Sequence, residues 1–324
     1  MLRHAGSYFL RVAVSRGFLS QSFSGRDIMT KQYEFKAKGL AFLLVAPQMI
    51  IVFVFFFWPA AQAILQSFFL QDPFGGKMIF VGLENYVQLF TDKSNGYGQS
   101  FVVSVFFAVG ITVLAMSVSL FLAVQANKRI RFETFYKTML IWPYAVSTMV
   151  AGVIWLFMFN PNVGIIAWVL KHKFNVEWSY LLNFNQAFVL ITIAASWKQL
   201  AYNFVFFLAG LQSVPETLIE AAAIDGAGHG LRFRKIIFPL LSPTTFYLLV
   251  MNLVYGFFET FPIIHQMTTG GPGKSTAILV YKVWRDGVVN LDLGSSAAQS
   301  VILMLMVVAL TIVQFRFIER RVNY

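Results

Sequence analysis

Six long, mostly apolar stretches run through this chain, at roughly 40–65, 101–126, 138–160, 186–212, 241–266 and 297–315. A helix needs about 20 such residues to cross a bilayer. Within lipid, only helices and closed barrels satisfy their own backbone hydrogen bonds. A spanning barrel would show alternating segments of about ten residues, and these runs do not alternate. The expected fold is therefore all-α and polytopic, with six transmembrane helices. Charged residues make up 12% of the chain, about half the usual share in a soluble domain. The net charge of +11 is spread over the segments flanking the apolar runs, with no compact basic domain, so a nucleic-acid partner is not expected. With no Cys in the chain, disulfides, thiolate metal sites and Cys nucleophiles are excluded. No metal site is read from the sequence.

Orientation follows from Lys and Arg in the connections. Of the 25 basic residues, seventeen lie before the first run, after the second, after the fourth and after the sixth; seven lie on the opposite side, and Lys198 lies within a run. Both termini are therefore expected in the cytoplasm. Pro47, Pro59, Pro143 and Pro262 should end or kink their helices. Residues 1–28 hold four Arg and no acid before Asp27. They are read as an N-terminal extension, translated or not, that resembles a transit peptide. Residues 29–39 form a basic lead into a permease domain at 40–320.

The connection at 213–240 departs from the pattern of a plain loop. Ser213 and Glu216 fit a capping box with Pro215 in the first turn. Leu218, Ile219, Ala222 and Ala223 form an apolar stripe at helical spacing. Gly226 is a helix stop, Gly228 and Gly230 read as a flexible corner, and Leu231–Ile237 as a second short helix. Pro239 is read as the start of the next membrane segment. Two short cytoplasmic helices imply a partner surface.

Glu220-Ala221-Ala222, then Gly226, Ile236 and Pro239, resemble the EAA motif of ABC-importer permeases, with Phe238 where the family usually has Leu. LLVAPQ (43–48), DPFG (72–75), VGLENY (81–86), WPYAV (142–146), SWKQLAYNFVFF (196–207), TGGP (269–272) and LDLGSSAAQSV (291–301) are similar to the carbohydrate-uptake members of that family. The resemblance implies the type I importer (MetI-like) permease fold in a bacterial inner membrane. It implies a second homologous permease, an ATPase dimer and a periplasmic substrate-binding protein as partners. It also implies that Glu220, Ala221, Ala222, Gly226, Ile236 and Pro239 couple to the ATPase. ATP and Mg would sit on that ATPase and no cofactor on this chain, which would be a transport subunit and not an enzyme. The likeness is greatest to members that import sn-glycerol-3-phosphate or related glycerophosphodiesters. The alternatives are a neutral sugar as cargo, an ion-coupled carrier, and a scaffold or channel subunit.

GGPGKST (270–276) has the Gly-Lys-Ser of a phosphate loop, but Thr268 stands where the motif needs its first Gly. The segment instead suits an outer loop facing the binding protein, as does 71–99, whose VGLENYVQLF part reads as a short surface helix. Two ionisable residues, Lys198 and Glu259, fall well inside apolar runs, where each costs about 2.5–3.5 kcal/mol on insertion scales. Such residues usually face a bundle interior or a water-filled path. Trp197, Gln199, Tyr202 and Asn203 give the fourth run a polar, aromatic face, to which Asn252 and Thr260 add from the fifth. Two roles are open for Lys198: attracting an anionic substrate, or pairing with Glu259 to hold the two spans together.

Overall fold

The computed structural model describes residues 38–71, 77–128 and 132–318. The extension at 1–28, the rest of the lead before Lys38, and the DPFG segment lie outside the described residues. The chain divides into two units, one ending at Trp58 and the other beginning at Pro59.

In the first unit, a helix over Lys38–Val52 runs into a π-helical turn over Phe53–Phe57. Its Phe side chains at 53, 55, 56 and 57 are all exposed, as an apolar surface meant for lipid or another helix should be. The helix does not end at Pro47 but continues past it to Val52. The wider turn comes just before Pro59 instead. Trp58 N–H donates to Phe53 O, five residues back, and Pro59 has no N–H to continue the usual ladder. The same device recurs at Phe233–Ile237, where Phe238 N–H reaches back to Phe233 O ahead of Pro239.

Three helices are long and apolar enough to cross a membrane outright: Phe42–Gln66, Tyr97–Ala126 and Leu293–Arg316. Three bent pairs bring the number to six if each pair is one span. The expected span at 138–160 is two helices, Glu133–Ala145 and Thr148–Met158, bent by 105°. The first runs two residues past Pro143 to Ala145, and the Ser147 hydroxyl starts the second by accepting from Val150 N at 3.3 Å. The expected span at 241–266 is Ser242–Glu259 followed by a break at Thr260 and a short helix over Phe261–Met267, with Pro262 in its first turn. Outside the helices, a two-stranded antiparallel ribbon pairs Phe69–Gln71 with Met78–Phe80. The surface helix expected from VGLENYVQLF forms at Glu84–Thr91 and buries Asn85 and Leu89.

The core of the second unit is built where Tyr97–Ala126 crosses Phe184–Gln212. Small buried residues (Ala108, Ala115, Ser119, Ala123) line the first helix, and small residues let membrane helices approach closely. Ser119 Oγ bonds Leu200 O at 2.9 Å, and Leu279 N–H donates to Ser104 Oγ at 2.7 Å. Gly256, on Ser242–Glu259, meets this helix backbone to backbone. A Cβ there would lie 2.8 Å from Ala108 Cα. Gly256→Val should therefore force the two helices apart at roughly 1–3 kcal/mol, lowering the thermal midpoint of the detergent-purified protein. Gly98→Ala, where a Cβ meets open space, should leave it unchanged.

Candidate functional site

Two arrangements stand out, one in the connection at 213–240 and one along the polar face of the fourth span. The connection forms a helix over Glu216–Ile224 and a second over His229–Leu240, bent by 66° and 67° from the helices they adjoin. Neither contains a buried residue, and Ile224 is 87% exposed. The first helix ends in a Schellman motif. Ala227 N–H donates to Ala222 O, and Gly226 N–H to Ala223 O, with Gly226 at φ +81°. Glu220, Ala221 and Gly226 are exposed, and Ala222, Ile236 and Pro239 are half-buried.

Three local expectations are corrected here. No capping box forms: Pro215 is itself the N-cap, outside the first turn, and Ser213 Oγ turns back to Gly210 O at 2.8 Å. Gly228 and Gly230 make no flexible corner, since the first caps the second helix and the second lies inside it. That helix runs through Pro239, so the membrane segment begins at Ser242, after a break at Leu241. A Pro tolerated in a first helical turn is also tolerated after a π turn, because both leave its missing N–H without a required acceptor.

Around Lys198 the expected ion pair is absent. Among the described residues the ion pairs are Lys137–Glu133 and Lys282–Asp286. Lys198 Nζ instead donates to Tyr144 O at 2.8 Å and Pro143 O at 3.2 Å, and lies 5.5 Å from the centre of the Tyr144 ring. Both carbonyls belong to the last turn of Glu133–Ala145, where the final carbonyls lack intrahelical donors and the helix dipole is negative. The break in the third span thus creates the acceptors that hold the lysine. Two of its three N–H donors are used. Glu259 is exposed at the end of the π turn Tyr255–Glu259.

Trp197 packs edge-on against Trp142 and Trp155, bracing the broken span behind Lys198. Tyr202 stacks on Tyr144 and shares a hydrogen bond with Tyr247, hydroxyl to hydroxyl, at 2.7 Å. Tyr144 and Tyr247 are exposed, while Lys198, Gln199 and Tyr202 are half-buried. Together they make one polar, aromatic surface drawn from three elements. Asn203 and Asn252 do not join it. Both are fully buried and exchange hydrogen bonds at 2.7 and 3.0 Å, and Asn252 also donates to Leu248 O. Their amides are spent on each other, which makes them a clamp between spans and removes them from a lining role. Thr260 is likewise buried, its hydroxyl bonded to Gly256 O. Asn203→Leu alone should cost roughly 1–2 kcal/mol by orphaning Asn252. The Asn203→Leu/Asn252→Leu pair should recover most of that in the same unfolding assay.

Sequence reasoning missed Tyr144 and Tyr247. Tyr144 was legible only as part of the WPYAV stretch. Tyr247 is a single hydroxyl in an apolar run, and its level with Tyr202 is set by the packing of two spans.

The model for binding-protein-dependent transport system inner membrane components matches residues 115–324. A Rhizobium meliloti (strain 1021) protein, the sn-glycerol-3-phosphate transport system permease protein UgpA, is 57% identical over 290 residues, covering 90% of this chain and 98% of that one. The proteins of that name from Agrobacterium fabrum and Yersinia pestis are 54% and 50% identical over 90% of this chain, which covers 98% and 97% of them. Among solved structures, a bacterial ABC transporter that imports the acidic polysaccharide alginate contains a chain of the same fold. Its TM-score is 0.74 at 18% identity, over 88% of this chain and 98% of that one. The alginate transporter has also been solved in complex with its pentasaccharide-bound periplasmic protein; there the TM-score is 0.74 at 18% identity, over 87% of this chain and 94% of that one.

Proposed function

The chain belongs to the family of binding-protein-dependent transport system inner membrane components, and we infer that it is a permease subunit of an ATP-driven importer of sn-glycerol-3-phosphate. It is a transport component of the inner membrane and not an enzyme. A second permease would complete the path, and two ATPase subunits carrying ATP and Mg would dock on the cytoplasmic loops. A periplasmic protein would deliver the cargo from the opposite side, and both termini would face the cytoplasm.

The observation that carries this reading is the exposed pair of helices at 213–240. They contain no buried residue, are joined by the Gly226 turn, and adjoin the fourth and fifth spans across short breaks at 213–215 and Leu241. A force on this pair would reach the fourth and fifth spans through links of three residues and one residue. Glu220, Ala221, Ala222 and Gly226 would form the ATPase contact, and Ile236 and Pro239 would set the second helix against it. Closure of the ATPase pair would draw the loops together and turn the path outward, and hydrolysis would reset it.

The substrate path is proposed along Lys198, Gln199, Tyr202 and Glu259, with Trp197 as support and Tyr144 and Tyr247 as additional members. A half-buried lysine and an exposed carboxylate at membrane depth are costly against lipid. A water-filled path shared with the second permease removes that cost.

The test is uptake of labelled sn-glycerol-3-phosphate in the source cells with and without this gene. Loss of uptake on deletion, with competition by unlabelled phosphate ester and none by maltose, is the expected result. Competition by maltose would instead indicate a neutral-sugar cargo.

A further inference from the structure

The phosphate-loop lookalike GGPGKST places its lysine in an unexpected setting. Lys274 Nζ donates to Ser94 O at 2.8 Å, and its side chain lies over Gly96. The same lysine lines a cavity of about 240 Å³ at the end of the bundle opposite the 213–240 helices, together with Arg285, Lys282, Asp286 and Asp292. One water needs roughly 10–15 Å³ of such volume, so there is room for a small organic anion.

The residues lining this cavity are three cations, Lys274, Lys282 and Arg285, against two carboxylates, Asp286 and Asp292. Asp286 is fully engaged, accepting from Lys282 at 2.7 Å, from Gln299 at 2.7 Å and from Asn290 at 3.0 Å. Asp292 caps the last span by accepting from Ser295 N at 3.0 Å. Lys274 has two donors left, and its charge also acts on the exposed Asp92 carboxylate, which is not part of the lining. The Arg285 guanidinium, half-buried, donates to no described residue. A planar fork of five donors suits phosphate oxygens. The N-termini of two long helices, Tyr97–Ala126 and Leu293–Arg316, abut the same space and add a favourable field for an anion.

We propose that this cavity is an entry subsite for the phosphate group of the incoming ester, held by Arg285 and Lys274 before it passes to the membrane path. The proposal rests on the reading of the chain as a phosphate-ester importer, and its test separates the two.

Inorganic phosphate is titrated into the purified complete transporter, wild type and Arg285→Gln, without ATP. Saturable binding that weakens about tenfold in the variant is expected, as for loss of a charge-assisted contact. Equal binding to both, or none to wild type, overturns the subsite. In reconstituted vesicles the Arg285→Gln transporter should need about tenfold more ester for half-maximal uptake, at an unchanged maximal rate, with Arg285→Lys in between. An unchanged half-saturation overturns the subsite while the importer reading stands. Phosphate binding without any ester uptake by wild type overturns the importer reading instead. If Arg285→Gln does not assemble, Lys274→Gln is read the same way, with a weaker shift expected and no shift overturning the proposal.

Discussion

Glu220→Lys should nearly abolish ATP-driven uptake while the chain still inserts and assembles with its partner permease. The side chain is exposed and takes part in no ion pair or hydrogen bond among the described residues, so its reversal costs the isolated fold little. A charge reversed at a docked interface typically costs about 2–5 kcal/mol, or roughly 30- to 4000-fold in affinity. The ATPase should therefore be lost from the complex on purification, and uptake should fall with it. Gly226→Val should act in the same direction more weakly. Its left-handed φ of +81° would strain a β-branched residue by roughly 1–3 kcal/mol, shifting the angle between the two loop helices without removing a contact. Normal ATPase retention and uptake in Glu220→Lys would place the coupling contact elsewhere.

The second large effect is expected at Lys198. Placing a lysine at membrane depth costs about 2.5–3.5 kcal/mol, and its two carbonyl hydrogen bonds return about 1.5–3 kcal/mol each. Lys198→Gln removes the charge and its cost, and keeps a weaker donor in place. The two changes nearly offset, so assembly should survive. Under the proposed path, uptake of the phosphate ester should not, because the anion would lose the one cation that the described residues place on this face, a loss of roughly 10- to 100-fold. The check is the initial uptake rate divided by the amount of assembled complex. A rate within twofold of wild type would reduce Lys198 to a C-terminal cap on a broken helix.

The parts of the structure legible in the sequence are those set by local chemistry. Apolar runs became spans because backbone groups in lipid must bond within their own helix. Gly226 stops its helix because Gly takes a positive φ without steric cost. The surface helix at Glu84–Thr91 shows its period directly. What escaped was set by tertiary structure. Pro143 signalled an end, but the 105° turn depends on Ser147 restarting the helix two residues after the first one stops. Lys198 was recognisable as an expensive residue, yet its acceptors are main-chain carbonyls, which carry no residue signature. Asn203 and Asn252 looked like path-lining polar groups; 49 positions apart, nothing local shows that each satisfies the other. The capping box failed for a smaller reason. Ser213 is consumed by the end of the preceding helix, one turn before the next begins.

This chain, on the proposed reading, forms the path of a pump driven by ATP from a separate subunit. The most direct measurement is accumulation of labelled sn-glycerol-3-phosphate in vesicles reconstituted with this chain, its partner permease, the ATPase and the binding protein. Accumulation against a gradient that requires ATP and the binding protein, and persists when a proton uncoupler is present, is the predicted result. Accumulation that collapses with the uncoupler and proceeds without ATP would instead make the chain a gradient-driven carrier.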